Sequence, residues 1–406
     1  MAGQSDIEPF KIAVPDSAIK LLKNKLAVST FPDESEFSDD WAFGASLSDI
    51  KRLAKRWQDG FDWRKHEAKL NELPQFTTAI SVDGFDDLML HFVHQRSSKP
   101  GAIPLLFCHG WPGSFLEVTK ILSLLTEPEN GQAFHVVAPS LPNFGFSDGV
   151  SKPGFSIPQY AEVMHNVMLK LGYRQYVNQG GDWGYNITRL MGVLFPESCL
   201  ATHINFAYIT EPPSTKEDPL QAAKSAVQPY TEEEKAGIER SQWLQKEGIG
   251  YNLLQSTKPS TLAFALRDSP VALLAWIYEK LHDWTDSYPW TDDEVLTWIS
   301  IYQFSKAGPQ ASAYIYYESV HSHKETTKKG YGYIPGIHLG VSIFPKDLAI
   351  PPSAWVPSLG PIVFLKRHPE GGHFAAYEKP EALTEDLREM FKHDMLDEVV
   401  RGLAKL

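Results

Sequence analysis

The sequence predicts an α/β fold: a mostly parallel central sheet, a helical cap inserted late, and a segment wrapping it from the N-terminal side. Three observations predict it. Short apolar runs recur at 103–108, 134–138, 175–178, 201–206, 340–344 and 362–365, each bounded by turn residues, as buried strands are. Helical patterns separate them, and strand–helix–strand in sequence is the right-handed unit of a parallel sheet. Finally, the alternation stops after Tyr208 and resumes near Gly340, leaving a long stretch without strand signals.

In chain order, residues 1–100 mix short helical and turn signals. A helix is expected over 47–57 with Ser46 or Ser48 as its cap. Asn71 to Phe76 reads as a turn punctuated by Pro74, and residues 80–93 alternate as a hairpin around Asp83-Gly84. This segment carries no catalytic signal and reads as packing against the core. Residues 101–208 are the first part of the core. In it, Tyr160, Val163, Met164, Val167, Met168 and Leu171 lie at 3,4 spacing and form a helix stripe facing the sheet. Residues 209–335 read as helices and loops rich in Trp and Tyr, broken at Thr285-Asp286 and Pro289: the cap. Residues 336–406 complete the core and end in a helix over 380–393, with Leu383, Leu387 and Met390 on one face.

Composition narrows the function. The chain has 406 residues, a net charge of −12 and 43% hydrophobic residues, a globular profile. Nucleic acid as a partner is excluded, because phosphates need a basic face. A membrane is excluded too: no apolar run spans a bilayer, and the first residues lack the continuous apolar core of a signal peptide. Cys108 and Cys199 both sit in apolar surroundings and are expected to be buried free thiols in a reducing compartment. No cofactor and no metal are expected. The tripeptide Ala404-Lys405-Leu406 is a variant of the Ser-Lys-Leu peroxisomal address, so the expected location is cytoplasmic or peroxisomal.

The chemistry centres on Gly180-Gly181-Asp182-Trp183-Gly184. Strand, Gly-x-nucleophile-x-Gly, helix is the nucleophile elbow of α/β-hydrolases. Taken alone, the pentapeptide reads equally as a Gly-rich turn with Asp as a helix N-cap. As an elbow, it carries aspartate where serine is usual. Carboxylate attack on an ester or amide would lead uphill to an anhydride. Displacement at saturated carbon gives an enzyme ester that water can cleave, and this points to epoxide opening or carbon–halogen cleavage.

The triad of this fold runs nucleophile, acid, base along the chain. Asp347 follows the strand at 340–344, and His373 lies in a Gly-rich loop after the strand at 362–365. Glu370 is the rival acid and His368 the rival base. The strand at 103–108 runs into His109-Gly110-Trp111-Pro112-Gly113, so the backbone N–H groups of Trp111 and Trp183 are the expected oxyanion hole. His109 is expected to hold backbone rather than act as a base. An epoxide also needs a proton for its leaving oxygen, which a cap tyrosine can donate. The candidates are Tyr251, Tyr278, Tyr288, Tyr302, Tyr314, Tyr316 and Tyr317.

Nearly end to end, the chain resembles the microsomal-type epoxide hydrolases. The resemblance is carried by Asp62-Trp63-Arg64 with Asn71, Pro74 and Phe76, and by His109-Gly110-Trp111-Pro112-Gly113-Ser114. Gly180-Gly181-Asp182-Trp183-Gly184 and Glu370-Gly371-Gly372-His373-Phe374 complete it. It implies a small-molecule epoxide substrate and two tyrosine donors. Gly250-Tyr251 ahead of Gln255-Ser256-Thr257-Lys258-Pro259 resembles the context of the first donor. The second lies in a Tyr-basic-Glu context, which here is Tyr316-Tyr317-Glu318, favouring Tyr316 over Tyr317. Phe344-Pro345-Lys346-Asp347 resembles the acid position, where membrane-bound members often carry Glu. Without their N-terminal anchor, this chain resembles the soluble fungal members, which implies a homodimer. The competing expectations are a dehalogenase with the same Asp nucleophile and His base, and a non-catalytic ligand-binding relative, which would have lost triad residues.

Overall fold

The computed structural model describes residues 7–214 and 219–392. His393, at the expected end of the last helix, and Ala404-Lys405-Leu406 lie outside the described residues. Nine strands among them form one sheet: β1 (Glu8–Pro9), β2 (Gln75–Ile80), β3 (Leu88–Gln95), β4 (Ile103–Cys108), β5 (Phe134–Pro139), β6 (Tyr176–Gly180), β7 (Cys199–Ile204), β8 (His338–Ile343) and β9 (Ile362–Arg367). Their order is β1-β2-β3-β5-β4-β6-β7-β8-β9. From β5 to β9 every pairing is parallel, while β1, β2 and β3 pair antiparallel along one side. β4 and β6 are central and buried along their whole length, which is why they read as continuous apolar runs rather than alternating ones.

The hairpin forms, with two differences from expectation. Ile80 pairs with Leu88 across a seven-residue connection, 81–87, and the first strand begins at Gln75. Gln75 and Phe76, expected in a turn, therefore belong to the sheet. The polar Gln75 is buried because its amide donates to Leu70 O at 2.8 Å and its oxygen meets His91 Nε2 at 3.0 Å. The expected helix at 47–57 spans Leu47–Lys55 with Ser46 as cap, accepting from Asp49 N–H. It continues as a wider turn over Arg56–Gly60. Both cysteines are free and buried. No helix among the described residues is long and apolar enough to cross a membrane.

Helices Ile157–Lys170 and Trp183–Leu194 pack together, the latter also lying against β4, β6 and β7, while Leu122–Thr126 and Pro380–Met390 pack on other parts of the sheet. Between β7 and β8 the chain is helical, including Glu232–Trp243, Gly250–Thr257, Pro270–Asp283, Asp292–Gln303 and Tyr314–His321. The N-terminal segment grips this helical layer from outside. Arg52 pairs with Asp292, Arg56 with Asp293 at 2.8 Å, and Lys25 with Asp268 at 3.0 Å. Trp41 stacks on His282 with ring centroids 3.5 Å apart. Exposed ion pairs of this kind add little each; together with the stacked rings they fix one registration.

Candidate active site

The site forms where β4, β6, β8 and β9 end and the helical layer overhangs them. Between β6 and helix Trp183–Leu194 the backbone turns sharply, and Asp182 takes φ 50°, ψ −126°. A non-glycine residue held there is strained, and the surroundings must impose it. The flanking glycines make the turn sterically possible. A Cβ on Gly180 would lie 2.4 Å from Gly184 O, and one on Gly184 would lie 2.0 Å from Cys108 O. Strand β4, strand β6 and the following helix thus approach too closely for any other residue.

The Asp182 carboxylate is held at the loop after β4. Trp111 N–H donates to Oδ1 at 2.7 Å. The N–H of Trp183, the other expected donor, makes no hydrogen bond to this carboxylate in the structure, whose Oδ1 turns toward Trp111. On the other side His373 Nε2 lies 3.5 Å from Asp182 Oδ2, and His373 Nδ1 lies 2.6 Å from Asp347 Oδ1. Asp182, His373 and Asp347 therefore form one line. Burial would favour neutral imidazole, but the Asp347 and Asp182 carboxylates outweigh it and push His373 up to about 10.

The rivals lie elsewhere. Glu370 is mostly exposed and paired with Lys379 at 2.7 Å. His368 contacts Asp386, within a buried cluster that also holds Ser342. His109 holds backbone: its Nε2 accepts from Leu141 N–H at 3.1 Å, and its Nδ1 lies 3.0 Å from Gly110 O. Leu141 N–H can only donate, so Nε2 is the bare nitrogen and Nδ1 carries the proton.

Among the seven tyrosines, Tyr251 and Tyr316 line the same cavity as Asp182, a space of about 250 Å³ also bounded by Phe206, Leu244, Ile249 and Leu348. Tyr251 stacks on Trp111 with centroids 5.3 Å apart, and Tyr316 meets Trp183 edge-on at 4.7 Å. Burial first, and the Asp182 charge among the other causes, hold both phenols well above the usual tyrosine range, so both carry their protons at neutral pH. Tyr316 Oη lacks a well-formed protein hydrogen bond, although Tyr251 and the Trp183 indole are near enough to act on it. The other candidates are engaged or distant. Tyr302 donates to Gly113 O at 2.6 Å, Tyr288 to Glu294 at 2.8 Å, and Tyr278 reaches Asp49 at 3.4 Å. Tyr314 and Tyr317 line a separate groove of about 560 Å³. That groove, and one of about 680 Å³ beneath the N-terminal segment, are larger than the Asp182 cavity but are lined by neither Asp182, His373 nor Asp347.

Several residues of the site carry no motif. Trp298 Nε1 and Tyr302 Oη, one turn apart on Asp292–Gln303, donate to Pro112 O and Gly113 O at 2.6 Å each, tying the loop after β4 to the helical layer. His373 N–H donates to Trp284 O at 2.8 Å, and Arg240 to Asp347 O at 3.3 Å, so the loops carrying His373 and Asp347 are tied to it too. Glu378 accepts from Phe374 N–H and Asp286 N–H. Glu117 stands beside Asp182. The 3,4 spacing of Trp298 and Tyr302 was visible in the sequence, but it looks the same as any core stripe.

A strained aspartate at a Gly-lined elbow, with a histidine and second aspartate in line and a helical cap above, defines an α/β-hydrolase with a carboxylate in the nucleophile position. Comparison with known proteins narrows this. Residues 7–118 match the family model described as epoxide hydrolase N terminus, and residues 103–228 match the alpha/beta hydrolase fold. A putative epoxide hydrolase of Stigmatella aurantiaca is 37% identical over 397 residues, covering 95% of this chain and 85% of that protein. Epoxide hydrolase 1 of Sus scrofa is 33% identical over 411 residues, covering 95% and 89%. The structure of Aspergillus niger epoxide hydrolase superposes with a TM-score of 0.82 at 35% identity, covering 94% of this chain and 95% of that one. Juvenile hormone epoxide hydrolase from Bombyx mori superposes with a TM-score of 0.85 at 28% identity, covering 98% and 96%. The chain belongs to the epoxide hydrolase family, and it is a hydrolase.

Proposed function

We propose that this enzyme opens epoxides to vicinal diols through a covalent ester on Asp182. The observation that carries the reading is the convergence of two buried, protonated tyrosines from separate cap helices on the cavity that Asp182 faces. In this scheme Asp182 attacks one epoxide carbon, the C–O bond breaks, and Tyr251 or Tyr316 gives its proton to the leaving oxygen. This yields a hydroxyalkyl ester and a tyrosinate. The proton held on His373 in the resting enzyme passes to the tyrosinate. Esterification removes one of the two carboxylates that favour imidazolium, so the pKa of His373 falls and the ring becomes a base. It then takes a proton from water as the water oxygen attacks Cγ of Asp182. Trp111 N–H stabilises the resulting oxyanion. Collapse breaks the bond from Cγ to the diol oxygen, which takes the proton left on the new Cγ–OH, and so restores Asp182 and His373 to their starting charges. Asp347 fixes the tautomer of His373 throughout.

The cavity of about 250 Å³ is just below the roughly 300–1,000 Å³ usual for drug-sized ligands, and its walls are mainly apolar and aromatic. It suits a small epoxide carrying an alkyl or aryl group. The test is a single turnover with excess enzyme in heavy-oxygen water. The first diol should be unlabelled and the label should enter Asp182; label in the first diol and none in Asp182 would mean direct attack by water.

Halide displacement is kept as a second reading on one observation. Trp183 lines the cavity, and its indole N–H, beside Tyr316, lacks a well-formed hydrogen bond, as a donor kept for a halide would. Halide release from haloalkanes, set against diol formation from epoxides, separates the two.

A further inference from the structure

Beside Asp182 lies a second, small space of about 10 Å³ bounded by Gly110, Trp111, Glu117, Asp182, His373 and Phe374, with Gly113 and Gly181 also lining it. By this measure one water needs about 10–15 Å³ and two to four polar partners. His373 and Glu117 supply side-chain partners, and the carboxylate to be attacked forms part of the wall. We propose that this space seats the water that cleaves the enzyme ester, and that Glu117 holds that water jointly with His373.

Three observations carry the assignment. First, Glu117 is delivered to this place by the same loop that holds the nucleophile. Ser114 caps a short helical stretch, Phe115–Lys120, and Glu117 lies in its first turn. Second, the loop is cut away to admit both carboxyl groups. A Cβ on Gly113 would lie 1.8 Å from Glu117 Oε1, and one on Gly110 would lie 2.3 Å from Asp182 Oδ1. Third, Glu117 is a partly buried carboxyl set among core side chains, it makes no salt bridge among the described residues, and it lines this space. A carboxyl withdrawn from water without a cation needs a reason. Burial pushes it up to about 8, with His373 opposing and Asp182 adding, so it rests protonated at neutral pH and adds no charge beside Asp182.

A water seated here donates one hydrogen to His373 Nε2 and the other to a Glu117 oxygen. Its lone pair is left for Cγ of Asp182. In the step, the first hydrogen moves to His373 as the new O–C bond forms, and the second stays on oxygen. Glu117 neither gains nor loses a proton, so its role is to position the attacking water.

The assignment rests on the covalent reading above, and one set of experiments separates the two. Backbone N–H groups of Ser114 and Gly110 also act on the Glu117 carboxyl, so the competing role is a loop anchor. A loop anchor would affect ester formation first, because the loop holds Asp182 through Trp111. Rapid-quench intact-mass analysis of wild type, Glu117→Gln and His373→Gln with a styrene-type epoxide gives both rates. Glu117→Gln is expected to form the ester at close to the wild-type rate and to hydrolyse it at least about tenfold more slowly, since misplacing a reacting group by an ångström can cost 10²-fold. Ester then accumulates at steady state, and kcat and KM fall together. Glu117→Asp, which draws the carboxyl back by one methylene, should show the same split. If both rates fall together in both variants, or if hydrolysis is unchanged, the water-site assignment is overturned. If His373→Gln accumulates no ester, the covalent reading itself fails; if it does, only the role of Glu117 is at stake.

Discussion

Replacing Asp347 with asparagine should separate the two chemical steps. Asp347 Oδ1 lies 2.6 Å from His373 Nδ1, whereas Asp182 Oδ2 lies 3.5 Å from Nε2. Together, against burial, they raise the ring from 6.5 to about 10. At 1.36 kcal/mol for each pKa unit this is about 5 kcal/mol in favour of imidazolium. The nearer carboxylate is the foremost charge favouring imidazolium and it alone remains once Asp182 is an ester; a hydrogen bond to a charged group is worth about 1.5–3 kcal/mol. Hydrolysis develops imidazolium in its transition state, so losing that bond slows it by up to about 10²-fold. An amide that also permits the wrong tautomer extends the loss toward about 10⁴-fold, as in serine-protease triads. Ester formation uses Asp182 and the tyrosines, and it should change by less than about tenfold on the same scale. Stopped-flow or rapid-quench measurement of both phases, with the ester followed by intact mass, gives the ratio directly. Equal slowing of both steps, or an unimpaired hydrolysis rate, would refute the reasoning.

Other substitutions test other parts of the site. Tyr251→Phe and Tyr316→Phe should each slow ester formation, and the double variant should be nearly inactive, while Tyr317→Phe should behave as wild type in the same burst assay. Trp298→Phe loses the donor to Pro112 O and leaves that buried carbonyl unpaired; about 1–3 kcal/mol of stability should be lost on denaturant titration. Gly184→Ala places a methyl against the Cys108 carbonyl, which cannot move aside, so the melting temperature should drop by several degrees. Asp386 is buried against His368, Ser342 and Lys366, and these partners hold its carboxyl below the usual 3.8 despite burial. Its stabilisation is therefore present above pH 3.8 and is lost as pH falls through the lower folded value. Asp386→Asn should lose about 3–5 kcal/mol at pH 7 and show a flatter acid limb in a pH series of unfolding curves.

The residues that a bent backbone must present were legible in the sequence. Asp182, Asp347 and His373 stand where strands end, and glycines beside Asp182 and His373 advertise close approach, while Asp347 was read from its order along the chain. Choosing among cap tyrosines was harder, because seven phenols on helices look alike. Tyr316 and Tyr317 are separated only by which helix face turns inward: one is buried over Trp183, the other partly exposed against His321. The basic residue of the Tyr-basic-Glu context occupies the outward position, so its loss here leaves the inward tyrosine in place. Glu117 was not legible, since a glutamate in a short helical turn ordinarily faces water. Only the folded loop turns it inward. The start of β2 at Gln75 was hidden for a similar reason, its burial depending on His91 across the sheet.

The grip of the N-terminal segment on the helical layer sets the manufacturing tolerance of this catalyst. Asp182, His373 and Asp347 stand at the ends of sheet strands, Tyr251 and Tyr316 on helices of the layer above, and Arg52, Arg56, Lys25 and Trp41 clamp that layer from the N-terminal segment. Loosening the clamp leaves every reacting group intact and moves the donors relative to the nucleophile. Its expected symptom is an enzyme that still folds and still hydrolyses a preformed ester, but loses its ability to choose which epoxide carbon to open.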